Sequence, residues 1–263
     1  MSGDFTQDYT DRFGGMARLL GGPGLAKVRA GHVCVIGVGG VGSWSVEALV
    51  RSGIGAVTMI DLDDVCITNV NRQLPALDGG IGRPKVDVLA ERMRLIHSGC
   101  AIHAVPEFLT AANAARLLSG PFDFVIDAVD RISTKVLILT QCRERGIPVL
   151  TVGGAGGRRD ATAVRTADLA RSQGDNLLRG VRRELRRRHG FPVGENQAFG
   201  VPCVYSAEPQ VFPWADGTCR AGPEEGGTMK LDCASGFGAA TFVTGVFGFA
   251  AAGEVIRRLA AVE

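Results

Sequence analysis

Residues 33–63 read VCVIGVGGVGSWSVEALVRSGIGAVTMIDLD: a hydrophobic strand, a glycine-rich turn, a helix, and a second strand ending in acid. Gly37, Gly39 and Gly42 fall at the G-x-G-x-x-G spacing, and Gly40 adds a fourth glycine inside it. Residues without a Cβ let the backbone turn tightly and approach a ligand closely, while the N–H groups of the following helix face negative charge. Ser43 and Ser45 open that helix, which runs through Val46, Leu49 and Val50 to a stop at Gly53. Asp61 lies 24 residues after Gly37, near the offset at which a dinucleotide fold places its ribose-binding acid. A G-x-G-x-x-G set between strand and helix, with an acid-tipped strand next, predicts nucleotide binding and a Rossmann-like α/β fold: a mostly parallel sheet with helices on both faces.

Composition limits the rest. The chain has 263 residues, 46% hydrophobic and 21% charged, with a formal net charge of +2. That suits one large soluble domain, and any nucleic-acid surface must then be a local patch. The expected organisation is a helical entry at 1–30, a nucleotide-binding core at 31–160, and residues 161–263 packed on the same domain. The polar, acidic start MSGDFTQDYTDRF is not a signal peptide. Residues 1–10 are expected to be loosely attached, followed by a helix that Gly21, Gly22 and Pro23 break. The seven cysteines form no C-x-x-C pair, which argues against a zinc ribbon and suits a reducing cytoplasm.

After Asp61 a loop-rich run carries Asp63, Asn69, Asn71, Arg72, Gln73 and Lys85. A hydride-transfer enzyme does not break its cofactor and needs no such pair of cations. Arg72 and Lys85 beside a phosphate-binding turn point to charge developing on phosphates. Lys85 to Ile96 is helical by its apolar spacing, Thr110 to Leu118 reads as a helix capped by Thr110, and FDFVIDA (122–128) is a buried strand with Asp127 at its tip and Asp130 beyond. Ligands of open α/β sheets lie outside the carboxyl ends of the strands, so Asp61, Asp63, Asp127 and Asp130 should gather at one rim as a cluster suited to magnesium. The other reading of Asp130 is the N-cap of the next helix. The strand 147–152 ends in the glycine loop 153–157.

Further on, Leu178, Val181 and Leu185 form a narrow apolar stripe on a helix otherwise covered by Arg179, Arg182, Arg183, Arg186, Arg187 and Arg188. Six arginines in ten residues predict contact with RNA phosphates. Residues 190–230 lack periodicity and read as a long irregular loop, in which Tyr205, Phe212 and Trp214 pack or stack on a base. From Cys233 to Gly253 there is no charge. Five glycines in that stretch favour a buried core helix over a membrane anchor. Cys233, before its start, is the best nucleophile candidate; the bland alternative is an inert thiol.

GVGGVGSW, DLDDVCITNVNRQ, GRPK and VIDAVDR together resemble the ThiF/MoeB/HesA superfamily, which adenylates ubiquitin-like and sulfur-carrier proteins. RFGGMARLLG, GIGAVTMIDLDDVCITNVNRQ, TVGGAGG and DCASGFGAAT resemble its branch of tRNA threonylcarbamoyladenosine dehydratases, over nearly the whole chain. The resemblance implies ATP on the glycine turn, ribose on Asp61 or Asp63, phosphates on Asn69, Arg72 and Lys85, and magnesium on Asp130. It implies a cytoplasmic homodimer acting on the anticodon arm of tRNA, with a sulfur-relay protein as a further candidate partner. The implied reaction is attack of the threonylcarbamoyl carboxylate on the α-phosphate, followed by closure of a five-membered ring and loss of AMP. Activation of a sulfur-carrier C-terminus is the alternative. The sequence departs from the superfamily at Gly15, where many members carry a second arginine that reaches across the dimer; Arg12 and Arg18 are the nearest substitutes.

Overall fold

The computed structural model describes residues 5–194, 197–224 and 237–261. Helix α1 (Gln7–Ala30) leads into β1 (His32–Ile36), α2 (Gly42–Arg51) and β2 (Ala56–Ile60). There follow α3 (Lys85–Ile96), β3 (Ala101–Val105), α4 (Ala114–Leu117), β4 (Phe124–Asp127), α5 (Ile132–Arg145) and β5 (Val149–Val152). The remainder supplies β6 (Val164–Asp168), α6 (Asn176–Arg188), β7 (Pro202–Ser206), the short pair β8 (Val211–Pro213) and β9 (Cys219–Ala221), and α7 (Thr241–Ala260). The main sheet has the order β3-β2-β1-β4-β5-β7-β6. All its neighbouring strands are parallel except the antiparallel pair β6–β7. The expected Rossmann-like α/β fold is what forms.

Strand alternation divides the core. Val33 and Val35 join the cluster containing Leu49, Met59, Leu89 and Phe247, and Cys34 and Ile36 join the cluster containing Ile138, Leu139 and Leu178. Successive side chains of β1 thus bury on opposite faces, as period-two geometry requires. Each such full burial contributes about 1.5–3 kcal/mol.

From Thr241 onward the uncharged C-terminal stretch enters the core helix α7, with Val243, Phe247, Ala251 and Val255 fully buried. Its small residues serve contact with α2. A Cβ on Gly248 would lie 2.6 Å from the Val41 carbonyl oxygen and 2.7 Å from the Trp44 Cβ, and Ser45 Oγ donates to the Gly248 carbonyl at 3.1 Å. Among the described residues no helix is long and apolar enough to cross a membrane.

Three expectations need correction, and a fourth, the helix break, holds. Within residues 5–10 the chain is anchored, not loose. Thr6 caps α1, Tyr9 is buried, and its hydroxyl donates to the Gly53 carbonyl at 2.7 Å. The break at Gly21 is real (φ 71°, ψ 159°), but helix resumes beyond it. The 110–118 helix shrinks to Ala114–Leu117 with Asn113 at its cap, because the Asn113 Oδ1 holds the backbone and hydroxyl of Thr110 in a turn. Residues 190–230 are not one irregular loop: β7 sits inside them, fully buried against β5.

Register sets the functional rim. Ile36 pairs with Ile60 and with Asp127, and Asp127 pairs with Thr151. The carboxyl ends of β2, β1, β4 and β5 therefore finish level. Strand order reverses between β1 and β4, the position where open α/β sheets form their crevice.

Candidate active site

The turn after β1 can be built only from glycine. Gly37 adopts φ +84°, and a Cβ on Gly42 would lie 1.8 Å from the Gly37 carbonyl oxygen. The turn closes on itself and delivers α2, whose N-terminus has no side-chain cap. The Ser43 N–H is taken by the Gly39 carbonyl at 3.2 Å, so the N–H groups just before it are the ones a ligand can meet. Asp61 braces the turn from the end of β2: Oδ2 accepts from the Val38 N–H at 2.7 Å, and Oδ1 accepts from the Asp63 N–H at 2.9 Å. Burial pushes the Asp61 carboxyl above its usual range, although these N–H groups and Lys85 act against that.

Lys85 opens α3 almost wholly buried and reaches back to Asp63, Nζ to Oδ2 2.8 Å. Asn69 is also buried, its Oδ1 accepting from the Cys66 N–H at 3.0 Å. Arg72 is half-buried and donates to the Thr68 carbonyl at 2.7 Å and to Asn71 Oδ1 at 2.9 Å. Its own carbonyl accepts from the Trp44 indole at 3.1 Å and the Thr244 hydroxyl at 3.2 Å. The Arg72 loop is thus stapled to α2 and α7, and a Cβ on Gly40 would lie between Thr244 and Arg72. Gln73 Nε2 stands 3.7 Å from where a Cβ on Gly39 would be, and Gln73 Oε1 is buried with no hydrogen-bond partner. An orphaned polar atom beside the glycine turn is the kind of group a bound nucleotide would satisfy.

The expected carboxylate cluster separates into different tasks. Asp61 braces the turn and Asp63 faces Lys85. Asp127 is fully buried beneath the rim, held by Lys135 Nζ at 3.1 Å and by the Thr151 hydroxyl at 2.6 Å. Asp130 remains exposed on the loop above it, and it does not cap α5, whose N-cap is Arg131. Among the described residues no three His, Cys, Asp or Glu side chains gather as metal ligands. One free carboxylate at the rim still suits magnesium, which commonly takes one or two carboxylates with nucleotide phosphates and waters.

Lys135 escaped the sequence reading. It lies in the first turn of α5, yet it is fully buried, donating also to the Asp127 carbonyl at 3.3 Å and the Thr151 hydroxyl at 3.2 Å. It ties α5 to β4 and β5. The clue was a lysine one turn inside a helix that follows a buried, acid-tipped strand. Cys233 lies outside the described residues.

The basic helix α6 buries Leu178, Val181 and Leu185, as its stripe predicts. Its arginines divide into two sets. Arg182 bonds Ser172, and Arg186 donates to the Pro192 carbonyl at 3.1 Å while covering the Phe199 ring. Arg179, Arg183, Arg187 and Arg188 are exposed, and with Val193 most of this face lines an open hollow of about 410 Å³. Of the loop aromatics, Tyr205 is core, Phe212 meets Phe237 at 5.0 Å, and Trp214 lies under Arg220. At the N-terminal helix, Arg12 is paired with Asp8 and donates to the Ile96 carbonyl.

A turn, a brace and a cation loop around the β1/β4 crevice define a nucleotide-binding protein. The chain belongs to the ThiF family, whose model matches residues 14–263. Within that family it is 44% identical to the tRNA threonylcarbamoyladenosine dehydratase of Escherichia coli, over 99% of this chain and 98% of that protein. It is also 44% identical to the dehydratase of Haemophilus influenzae, over 96% and 94%. A crystal structure of the E. coli tRNA N6-threonylcarbamoyladenosine dehydratase in complex with ATP superposes with a TM-score of 0.87 at 40% identity, covering 98% of each chain.

Proposed function

We propose that this chain uses ATP to cyclise the threonylcarbamoyl group on the tRNA adenosine beside the anticodon. Near-full-length likeness to a dehydratase solved with ATP carries the reading, and the glycine turn with the unfilled Gln73 Oε1 supports it in this chain. The turn and the N-terminus of α2 hold the triphosphate, and Asp61 or Asp63 takes the ribose. Asn69, Gln73, Arg72 and Lys85 stabilise the phosphates as charge moves onto the leaving pyrophosphate. Magnesium on Asp130 would screen charge on the same oxygens when bound. The substrate carboxylate attacks the α-phosphate, pyrophosphate leaves, and the carbamoyl nitrogen then attacks the acyl carbon, loses its proton and expels AMP. Ring closure within one side chain enjoys an effective molarity on the order of 10⁵ M or more.

That advantage makes a thioester on Cys233 unnecessary, so Cys233→Ala retains substantial cyclisation. Complete loss of activity, with folding and ATP binding intact, would refute that. The exposed arginines of α6 meet the anticodon arm. Exposed Leu62, Ile67, Val70, Leu77 and Ile81 around the nucleotide loop suit a homodimer. The test is direct: incubate protein, ATP and modified tRNA, digest the RNA and weigh the nucleosides. The expected result is ATP-dependent loss of one water; an unchanged modified nucleoside contradicts the reading.

A further inference from the structure

Beyond the nucleotide pocket the structure holds a further buried positive charge, this one with unfilled hydrogen-bonding capacity. Arg158 follows the glycine loop at the carboxyl end of β5 and is only 2% exposed. Nη2 donates to the Gly174 carbonyl at 2.9 Å, whereas Nε and Nη1 have no partner. A guanidinium stays protonated in proteins, and burying it with donors unmet is costly. Burial pushes its pKa down, which Asp175 and Glu208 partly oppose from a distance.

Neither acid serves as its counterion. Asp175 accepts from the Leu178 N–H through Oδ1 and from the Gly154 N–H through Oδ2. Glu208 Oε2 accepts from the N–H groups of Arg159 and Asp160. The loop is shaped around this arrangement. A Cβ on Gly153 would lie 2.2 Å from Asp175 Oδ2, and Gly157 adopts φ +71° so that its N–H reaches the Gly238 carbonyl at 2.7 Å.

The next carbonyl along the chain places this site beside the chemistry. Ala239 O accepts from Asn71 Nδ2 at 2.8 Å, and the Thr241 hydroxyl donates to the Asn71 carbonyl at 2.5 Å. Residues 238 and 239, one Cα step of 3.8 Å apart, thus tie the Arg158 loop on one side and the Arg72 loop on the other. Ordinary phosphate-gripping arginines of a nucleic-acid interface lie in water, like those of α6. Arg158 is enclosed, beyond the carboxyl end of β5.

We propose that Arg158 is an oxyanion receptor that positions the substrate carboxylate next to the nucleotide. This rests on the dehydratase reading above and adds the group that holds the nucleophile. A flanking RNA phosphate offers the same oxyanion chemistry, and the test separates the two. Arg158→Met and the charge-keeping Arg158→Lys are compared with wild type for ATP-induced rise in melting temperature, for cyclisation kinetics on modified tRNA, and for binding of two probes. The probes are free threonylcarbamoyladenosine, which has the carboxylate and no phosphate, and unmodified tRNA, which has phosphates and no such carboxylate.

The expected result for Arg158→Met is a KM for modified tRNA raised about tenfold to hundredfold. Nucleoside binding weakens in parallel, the ATP response is retained, and Arg158→Lys restores part of the loss. Unchanged KM and nucleoside binding in both variants overturn the assignment. So does a loss confined to unmodified tRNA, which would move the contact to a phosphate. If Arg158→Met does not fold, the same readouts on Arg158→Lys decide, with unchanged nucleoside binding and KM again overturning it. Absence of any cyclisation by wild type, in contrast, removes the dehydratase reading itself.

Discussion

The two sides of the rim hold charge in opposite ways. Around the glycine turn several ionic groups are enclosed and pre-paired: Lys85 is 5% exposed against Asp63, Asp61 is 8% exposed under two N–H groups, and Lys135 is completely buried against Asp127, with Arg72 half-buried beside them. On α6, Arg179, Arg183, Arg187 and Arg188 stand in solvent, Arg188 in a surface pair with Glu184 at 3.4 Å, while Arg182 and Arg186 are bonded to the body of the protein. The difference follows from the tasks. Positioning a few phosphate oxygens for reaction rewards groups fixed in place beforehand. Gripping a long polyanion needs only charge that can release counterions, and charge is least costly to keep in water.

That contrast can be broken by mutation. The largest effect is expected at Arg72: Arg72→Ala lowers turnover by about 10²–10³-fold while ATP-free melting temperature holds, as single-turnover kinetics would show. Full activity in that variant would mean that the enclosed side is not the reactive one. Next comes Lys135→Met. It leaves the fully buried Asp127 unpaired and costs about 3–5 kcal/mol, a fall in Tm of roughly 6–20 °C for a chain of this size. Adding Asp127→Leu should recover much of the loss, since replacing both ions is far milder than orphaning one.

On the exposed side, Arg183→Glu with Arg187→Glu should raise KM for tRNA and leave the ATP response alone. The slope of log affinity against log salt becomes shallower by about 0.7–0.9 per arginine lost. An unaltered slope would remove α6 from the RNA surface. The smallest effect is a pH dependence at Glu47. Burial alone would raise its carboxyl, but hydrogen bonds from Arg92 and Arg51 outweigh that and hold it below 4.5. A depressed carboxylate stabilises the fold above its ordinary value, and that contribution fades as pH falls through the lowered one. Glu47→Gln should therefore show a flatter fall of Tm below pH 4.5 than wild type, by under about 4 °C.

Much of the enclosed side is legible in the sequence because its signals are local. Gly37 to Gly42 must turn and Asp61 ends a strand; on the exposed side, Leu178, Val181 and Leu185 keep helical spacing. Long-range pairing is where the reading thins. Nothing near Lys135 in sequence shows that it points at Asp127 and Thr151, which depends on the register of β4 on β5. The four acids look alike as a list, but the partners of Asp61, Asp63 and Asp127 come from different elements and Asp130 stays exposed. Strand β7 hides in a Pro- and Gly-rich stretch because its pairing with β5 is non-local, and nothing near Arg158 in sequence shows that its guanidinium reaches the Gly174 carbonyl.

The central claim is that ATP converts the substrate carboxylate into its own adenylate. Substrate tRNA carrying heavy oxygen in that carboxylate tests it most directly. If the carboxylate attacks the α-phosphate and the ring nitrogen then displaces the nucleotide, one labelled oxygen must appear in the phosphate of the released AMP. Label found in pyrophosphate or inorganic phosphate, or AMP free of label while the ring still closes, would contradict the account.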